Sequence, residues 1–107
     1  MRAQGRPVLV DLTAAWCITC KVNETLVLSD RKVADTIKKT HTIYMVGDWT
    51  KQDPEISKYL ASFDRSGVPL YVFYAPGRVK PTILPQLLNV QTVVATLERG
   101  AGETAVN

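Results

Sequence analysis

From Pro7 to Thr13 the chain reads Pro-Val-Leu-Val-Asp-Leu-Thr, apolar and β-branched almost throughout. A nearly continuous apolar run of that length predicts a central strand covered on both faces, because a half-buried strand would alternate. Asp11 interrupts it, and a carboxylate inside such a strand is costly to bury without a partner or a task. From Cys17 the spacing turns helical, with Val22 and Leu26 on one face and Lys21 and Thr25 elsewhere. Ser29-Asp30 offers an N-cap for a further helix carrying Val33 and Ile37, which closes at Lys38-Lys39, where cations suit the helix C-terminus. Thr42 to Val46 is the next strand, and Gly47-Asp48-Trp49-Thr50 ends it. Asp53-Pro54 then gives a cap and a first-turn proline to a helix with Ile56, Leu60 and Phe63 at i, i+4 and i+7.

Ser66-Gly67-Val68-Pro69 breaks that helix and opens the strand Leu70 to Tyr74. Ala75-Pro76-Gly77-Arg78 places proline and glycine at the two central positions of a type II turn. Val79 to Leu84 returns as a strand that Pro81 confines to a sheet edge. Asn89 caps a last helix, Val90 to Arg99, with Val90, Val93, Val94 and Leu97 inward, Gly100 as its stop and residues 100–107 as a flexible tail. The order β-α-(α)-β-α-β-β-α implies an α/β fold with a central mixed sheet flanked by helices. Its strand–helix–strand opening makes a parallel pair with a right-handed crossover, and its final hairpin adds an antiparallel edge. Sites in such sheets lie beyond the carboxyl ends of the strands.

The 107 residues, 46% hydrophobic and 21% charged, fit one domain with its own core and exclude a disordered chain. A net charge of +3 with scattered basic residues gives no nucleic-acid surface. No apolar run approaches the roughly 18 residues of a membrane span, so no direct membrane insertion of this domain is expected. Met1 to Arg6 lacks the apolar core of a signal peptide and leads straight into the first strand. That entry reads as a domain excised from a longer chain, or one whose first element is missing.

Both cysteines stand two residues apart in Trp16-Cys17-Ile18-Thr19-Cys20-Lys21, at the junction of the first strand and the first helix. Unpaired N–H groups and the macrodipole at a helix N-terminus favour an anion, which lowers a thiol there from about 8.5 toward roughly 3.5–7.5. Cys17 is therefore the candidate attacking thiolate and Cys20, one turn in, the buried resolving thiol. A structural disulfide is the competing reading, weakened because so short a loop restrains the unfolded chain little. Structural zinc wants four ligands, and two cysteines with His41 supply three. No metal and no cofactor beyond the Cys17–Cys20 pair is expected.

Val10-Asp11-Leu12 ahead of Trp16-Cys17-x-x-Cys20-Lys21, then Gly67-Val68-Pro69 before a strand, resembles the thioredoxin superfamily. More narrowly, Thr13 to Glu24, Gly47 to Thr50 and Ser66 to Tyr71 are similar to the C-terminal periplasmic domain of DsbD-type protein-disulfide reductases. The likeness spans about residues 6 to 99. Two departures stand out: the β-α unit ahead of the central strand of thioredoxins is absent or cut to a stub, and Ile18-Thr19 replaces their Gly-Pro.

The resemblance implies a thioredoxin-like fold and a protein-disulfide reductase. Electrons would come from a membrane-embedded redox domain of the same or a related chain and go to periplasmic disulfide-containing proteins. The domain would stand on the periplasmic face of the bacterial inner membrane and serve processes such as cytochrome c biogenesis. Asp11 matches the buried acid of thioredoxins, and Glu24 lies one turn past Cys20. The two carboxylates would raise the Cys17 thiol against the helix effect and carry a proton to or from Cys20. Plain alternatives are a hydrogen-bonded core carboxylate for Asp11 and a solvated residue for Glu24. Pro69 would be cis, Val68 would offer its backbone to an extended client, and Trp16 would form an apolar rim that Trp49 assists. A free-standing thioredoxin-like reductase and a redox-inactive binding module are the other readings of the whole chain.

Overall fold

Strand β1 (Val8–Thr13) is the centre of a four-stranded sheet in the computed structural model, which describes residues 5–77 and 80–106, the last six as backbone only. The chain continues through α1 (Ile18–Asn23), a π-helical segment (Glu24–Leu28), α2 (Arg31–Lys39), β2 (Ile43–Asp48), α3 (Pro54–Ala61), β3 (Leu70–Tyr74), β4 (Thr82–Ile83) and α4 (Val90–Val106). The strand order is β2-β1-β3-β4, with β1 parallel to β2 and antiparallel to β3. This is the mixed α/β sheet that the residue pattern implies. β1 is buried on both faces as its apolar run requires, because helices cover each side and a strand flanks each edge.

Alternation along β1 splits the interior in two. Leu9, Tyr71 and Phe73 face α2 and α4 and pack with Val33, Val93 and Leu97. Leu12, Leu70 and Val72 face the other way, against Leu60 and Trp49. Register pairs Asp11 with Tyr71 on β3 and with Val46 on β2, so the buried acid belongs to the first of these faces.

Caps fall where the sequence places them. The Asp30 carboxylate accepts from Lys32 N–H, Asp53 from Glu55 N–H, and Asn89 from Thr92 N–H at 2.8 Å in each case.

Three expectations are corrected, and packing settles which face of α1 is buried. Val22 and Leu26 line a solvent-facing stripe with Ile18, while Cys20, Asn23 and Val27 turn inward. The π segment, closed by Ser29 N–H bonding Glu24 O at 3.0 Å, adds a residue to the turn that carries Val27 into the core. β2 runs on through Gly47 and Asp48, because both continue the parallel ladder with Leu12 and Thr13. β4 keeps two residues of the expected strand; Pro81 has no N–H to give, and Arg78 and Val79 lie outside the described residues. Gly100 does not end α4, which continues to Val106 through the expected tail. A Cβ there would stand 2.6 Å from the buried Phe73 ring, so this glycine serves close packing.

Candidate redox site

β1 ends beside the cysteines, and Cys17 is the N-cap of α1 with an extended backbone. Its sulfur accepts the Cys20 N–H at 3.1 Å, the helix-end donor that the sequence argument requires. Cys17 and Cys20 are joined in a disulfide with their Cα atoms 5.3 Å apart. Cys20 is sealed at 0% exposure and Cys17 keeps 7%, so an approaching group reaches the first sulfur.

The loop before β3 forms the opposite wall. The Val68–Pro69 peptide is cis, Pro69 is buried, and the Val68 carbonyl oxygen lies 3.9 Å from Cys17 Sγ. Trp16 forms the rim, half exposed, with its indole N–H donating to Thr50 O at 3.0 Å. Thr50 Oγ1 also accepts from Ala15 N–H at 2.8 Å, and Asp48 holds Thr50 through its backbone N–H at 2.9 Å. Trp49 is a core residue behind that rim: its ring centroid stands 5.8 Å from that of Trp16, and its indole N–H donates to Ser57. Ile18, Val22 and Leu26 extend the apolar surface along the helix beside the disulfide.

Beneath the helix Asp11 is 2% exposed. The Tyr44 hydroxyl donates to Asp11 Oδ2, while Asp11 Oδ1 is buried with no hydrogen-bond partner. Burial pushes this carboxyl up to about 6; the Tyr44 bond opposes the rise and the nearby Glu24 carboxylate adds to it. Glu24 is half-buried at the start of the π segment, accepts from Thr13 Oγ1 at 2.8 Å, and lies 4.0 Å from Lys21 Nζ. The structure therefore brings the two acids of the sequence reading close enough for the Glu24 charge to act on Asp11. Burial and the Asp11 bond push the Tyr44 phenol far up, and burial carries that of Tyr71 up to about 12. Fully buried Asn23 donates to the Tyr71 hydroxyl at 2.8 Å and to Gln86 O at 2.7 Å, and accepts from Leu88 N–H at 3.0 Å. It ties α1 to β3 and to the chain before α4.

Sequence reasoning missed Tyr44, Tyr71 and Asn23. An asparagine inside a helical run, where it is a poor former, was the available signal for the last. Tyr44 and Tyr71 had none until the strand register was known. His41 is exposed at the turn into β2, where its backbone carbonyl accepts from Arg6. No three His, Cys, Asp or Glu side chains among the described residues come together to hold a metal. A surface groove of about 610 Å³ lies on the α3 side of the sheet between residues such as Val10, Met45 and Ile56. It contains neither cysteine and none of the acids of the site.

A family model described as thioredoxin-like matches residues 1–76. The chain belongs to the thioredoxin-like family. Within it, the chain is similar to the thiol:disulfide interchange protein DsbD of Yersinia pestis, 36% identical over 73 residues, which is 68% of this chain and 12% of that protein. It is 30% identical to DsbD of Ralstonia nicotianae over 101 residues, 94% of this chain and 16% of that one. The chain thus spans about an eighth to a sixth of the length of these relatives. The reduced C-terminal domain of Neisseria meningitidis DsbD shares its fold at a TM-score of 0.68 and 21% identity, over 89% of this chain and 81% of that one. In this thioredoxin-like domain the paired cysteines at the strand-to-helix junction stand beside the cis-proline loop. No helix among the described residues is long and apolar enough to cross a membrane.

Proposed function

We propose that this chain is a thiol–disulfide oxidoreductase domain that reduces protein disulfides through Cys17 and Cys20. In this reading residues 1–107 are a single domain of a larger membrane protein. Its electrons come from a membrane-embedded partner domain and go to disulfide-containing proteins on the periplasmic face of the bacterial inner membrane. The observation that carries the reading is a disulfide at the mouth of a helix, with its more accessible sulfur against a cis-proline loop. The likeness to thiol:disulfide interchange proteins over nearly the whole chain supports the relay.

In the reduced domain the Cys17 thiolate attacks one sulfur of a client disulfide. A Cys17–client bond forms, the client S–S bond breaks, and the electron pair leaves on the second client sulfur, which takes a proton. Cys20 then gives its proton to the Asp11 carboxylate, and its thiolate attacks Cys17 Sγ. The Cys17–Cys20 bond forms, the Cys17–client bond breaks, and the first client sulfur leaves as a thiolate that takes the proton from Asp11, so two electrons have passed from dithiol to client. A protein dithiol of the membrane partner restores the reduced pair by the reverse exchange. The Val68 backbone and the rim of Trp16, Ile18 and Val22 hold an extended client segment over Cys17. Glu24, bound to Thr13, adds negative charge that keeps Cys17 protonated until a partner docks.

Reduction of insulin, followed by turbidity, tests the chemistry. Cys17→Ser removes all activity, and Cys20→Ser stalls as a client adduct that dithiothreitol releases. Undiminished reduction by Cys17→Ser sinks the assignment.

A further inference from the structure

We propose that Tyr44 is the positioning residue of the buried acid: its hydroxyl, reaching in from the sheet edge, keeps the Asp11 carboxylate charged and its second oxygen free to take a proton from the dithiol. The inference rests on the proposed role of Asp11 in that exchange. Its physical part, the control of Asp11 by Tyr44, stands on the geometry alone.

Tyr44 lies two residues before Val46, the cross-strand neighbour of Asp11, and so projects from the same face of the sheet. β2 is an edge strand, and Tyr44 is 38% exposed, with its hydroxyl turned in to Asp11 Oδ2. Among the described residues no other hydrogen-bond donor reaches this carboxylate. The other groups around it do not neutralise its charge. From β3 comes the neutral Tyr71 phenol, whose hydroxyl accepts from Asn23. From the π segment comes Glu24, a second carboxylate, already bound to Thr13 of β1. The cation on the α1 side, Lys21, is exposed and stands beside Glu24. Cys20 of α1 and the N-cap Cys17, joined in the disulfide, carry no charge.

A buried anion with one donor depends on that donor. Removing the donor leaves both oxygens desolvated and unbonded, which favours the protonated acid. A protonated Asp11 has no room for the Cys20 proton, so the second half of the exchange slows at neutral pH and recovers in base. Val46 offers the opposite change, since a lysine there brings a cation to the same carboxylate from the neighbouring ladder position.

The experiment follows the Asp11 carboxyl by ¹³C NMR in the oxidised protein, a readout independent of catalysis, alongside the pH profile of insulin reduction. In Tyr44→Phe the carboxyl titration moves up by about one pH unit or more, and Val46→Lys moves it down. Reduction by Tyr44→Phe falls several-fold near pH 6.5 and returns toward the unaltered rate above pH 8. Combined with Asp11→Asn, Tyr44→Phe has no further effect on the profile. An Asp11 titration left in place by Tyr44→Phe overturns the inference. If that variant does not fold, an Asp11 titration unmoved by Val46→Lys overturns it in its place. An unaltered protein that reduces no disulfide, while Asp11 still responds to Tyr44, refutes the functional reading and leaves the control of Asp11 by Tyr44 standing.

Discussion

Asp11 costs the folded protein stability whenever it is ionised. Its carboxyl is held near 6 in the fold against 3.8 ordinarily. Between those values the native state keeps a proton that the unfolded chain has released, so stability falls as pH rises through that window. Above it the full cost, about 3 kcal/mol, is present. Asp11→Asn therefore stabilises the oxidised domain by about 1–3 kcal/mol at pH 7.5, and the gain shrinks to near zero at pH 4. Denaturant melts of both proteins at the two pH values check the sign. A variant less stable than the parent at pH 7.5 would show that burial of the charge is fully compensated. A carboxylate buried at such a cost fits a group with chemical work to do.

At the scale of elements, α1 and α4 show packing overriding local preference. Ile18, Val22 and Leu26 are spaced to bury a helix face, but Cys20 and Asn23 occupy the inward positions. The polar ties of Asn23 to Tyr71, Gln86 and Leu88 are made only in that orientation. The apolar stripe is then left outside, next to the disulfide. In α4 the glycine that reads as a stop is a contact. Gly100→Ala gains about 1 kcal/mol in helix propensity. It also sets a methyl group 2.6 Å from the Phe73 ring, which is itself buried and has little freedom to retreat. Overpacking of that kind costs about 1–3 kcal/mol, so the net effect expected is a loss of about 1 kcal/mol in chemical denaturation. A stabilised variant would show that α4 shifts freely over β3.

Across the whole molecule, stability resides in the two apolar layers that sandwich the sheet, and surface charge adds little. Neighbouring residues in α4 separate the two contributions. Leu97 is 1% exposed in the layer with Leu9 and Phe73, whereas Glu98 reaches across the surface to Lys39 of α2 at 3.3 Å. Leu97→Ala is expected to cost about 2–5 kcal/mol. Glu98→Gln is expected to cost less than about 0.5 kcal/mol and to lose even that in 0.5 M salt. Urea titration of the pair measures both, and comparable losses would mean that the α2–α4 contact is electrostatic in origin.

Element order, the caps at Asp30, Asp53 and Asn89, the central position of β1 and the paired cysteines at its carboxyl end were all legible in the chain. Each depends on residues close together in sequence: an apolar run, a cap followed by its helix, a proline before a strand. The surroundings of the acid were not legible. Asp11 meets Tyr44 across 33 positions and Tyr71 across 60, and nothing local to any of the three reports the others. Which face of α1 points inward was also undecided, since both faces carry apolar residues and the choice rests on Asn23 reaching partners at Tyr71 and beyond. Short-range pattern set where the sulfur chemistry stands. Strand register and helix rotation, which are properties of the packed molecule, decided what surrounds it.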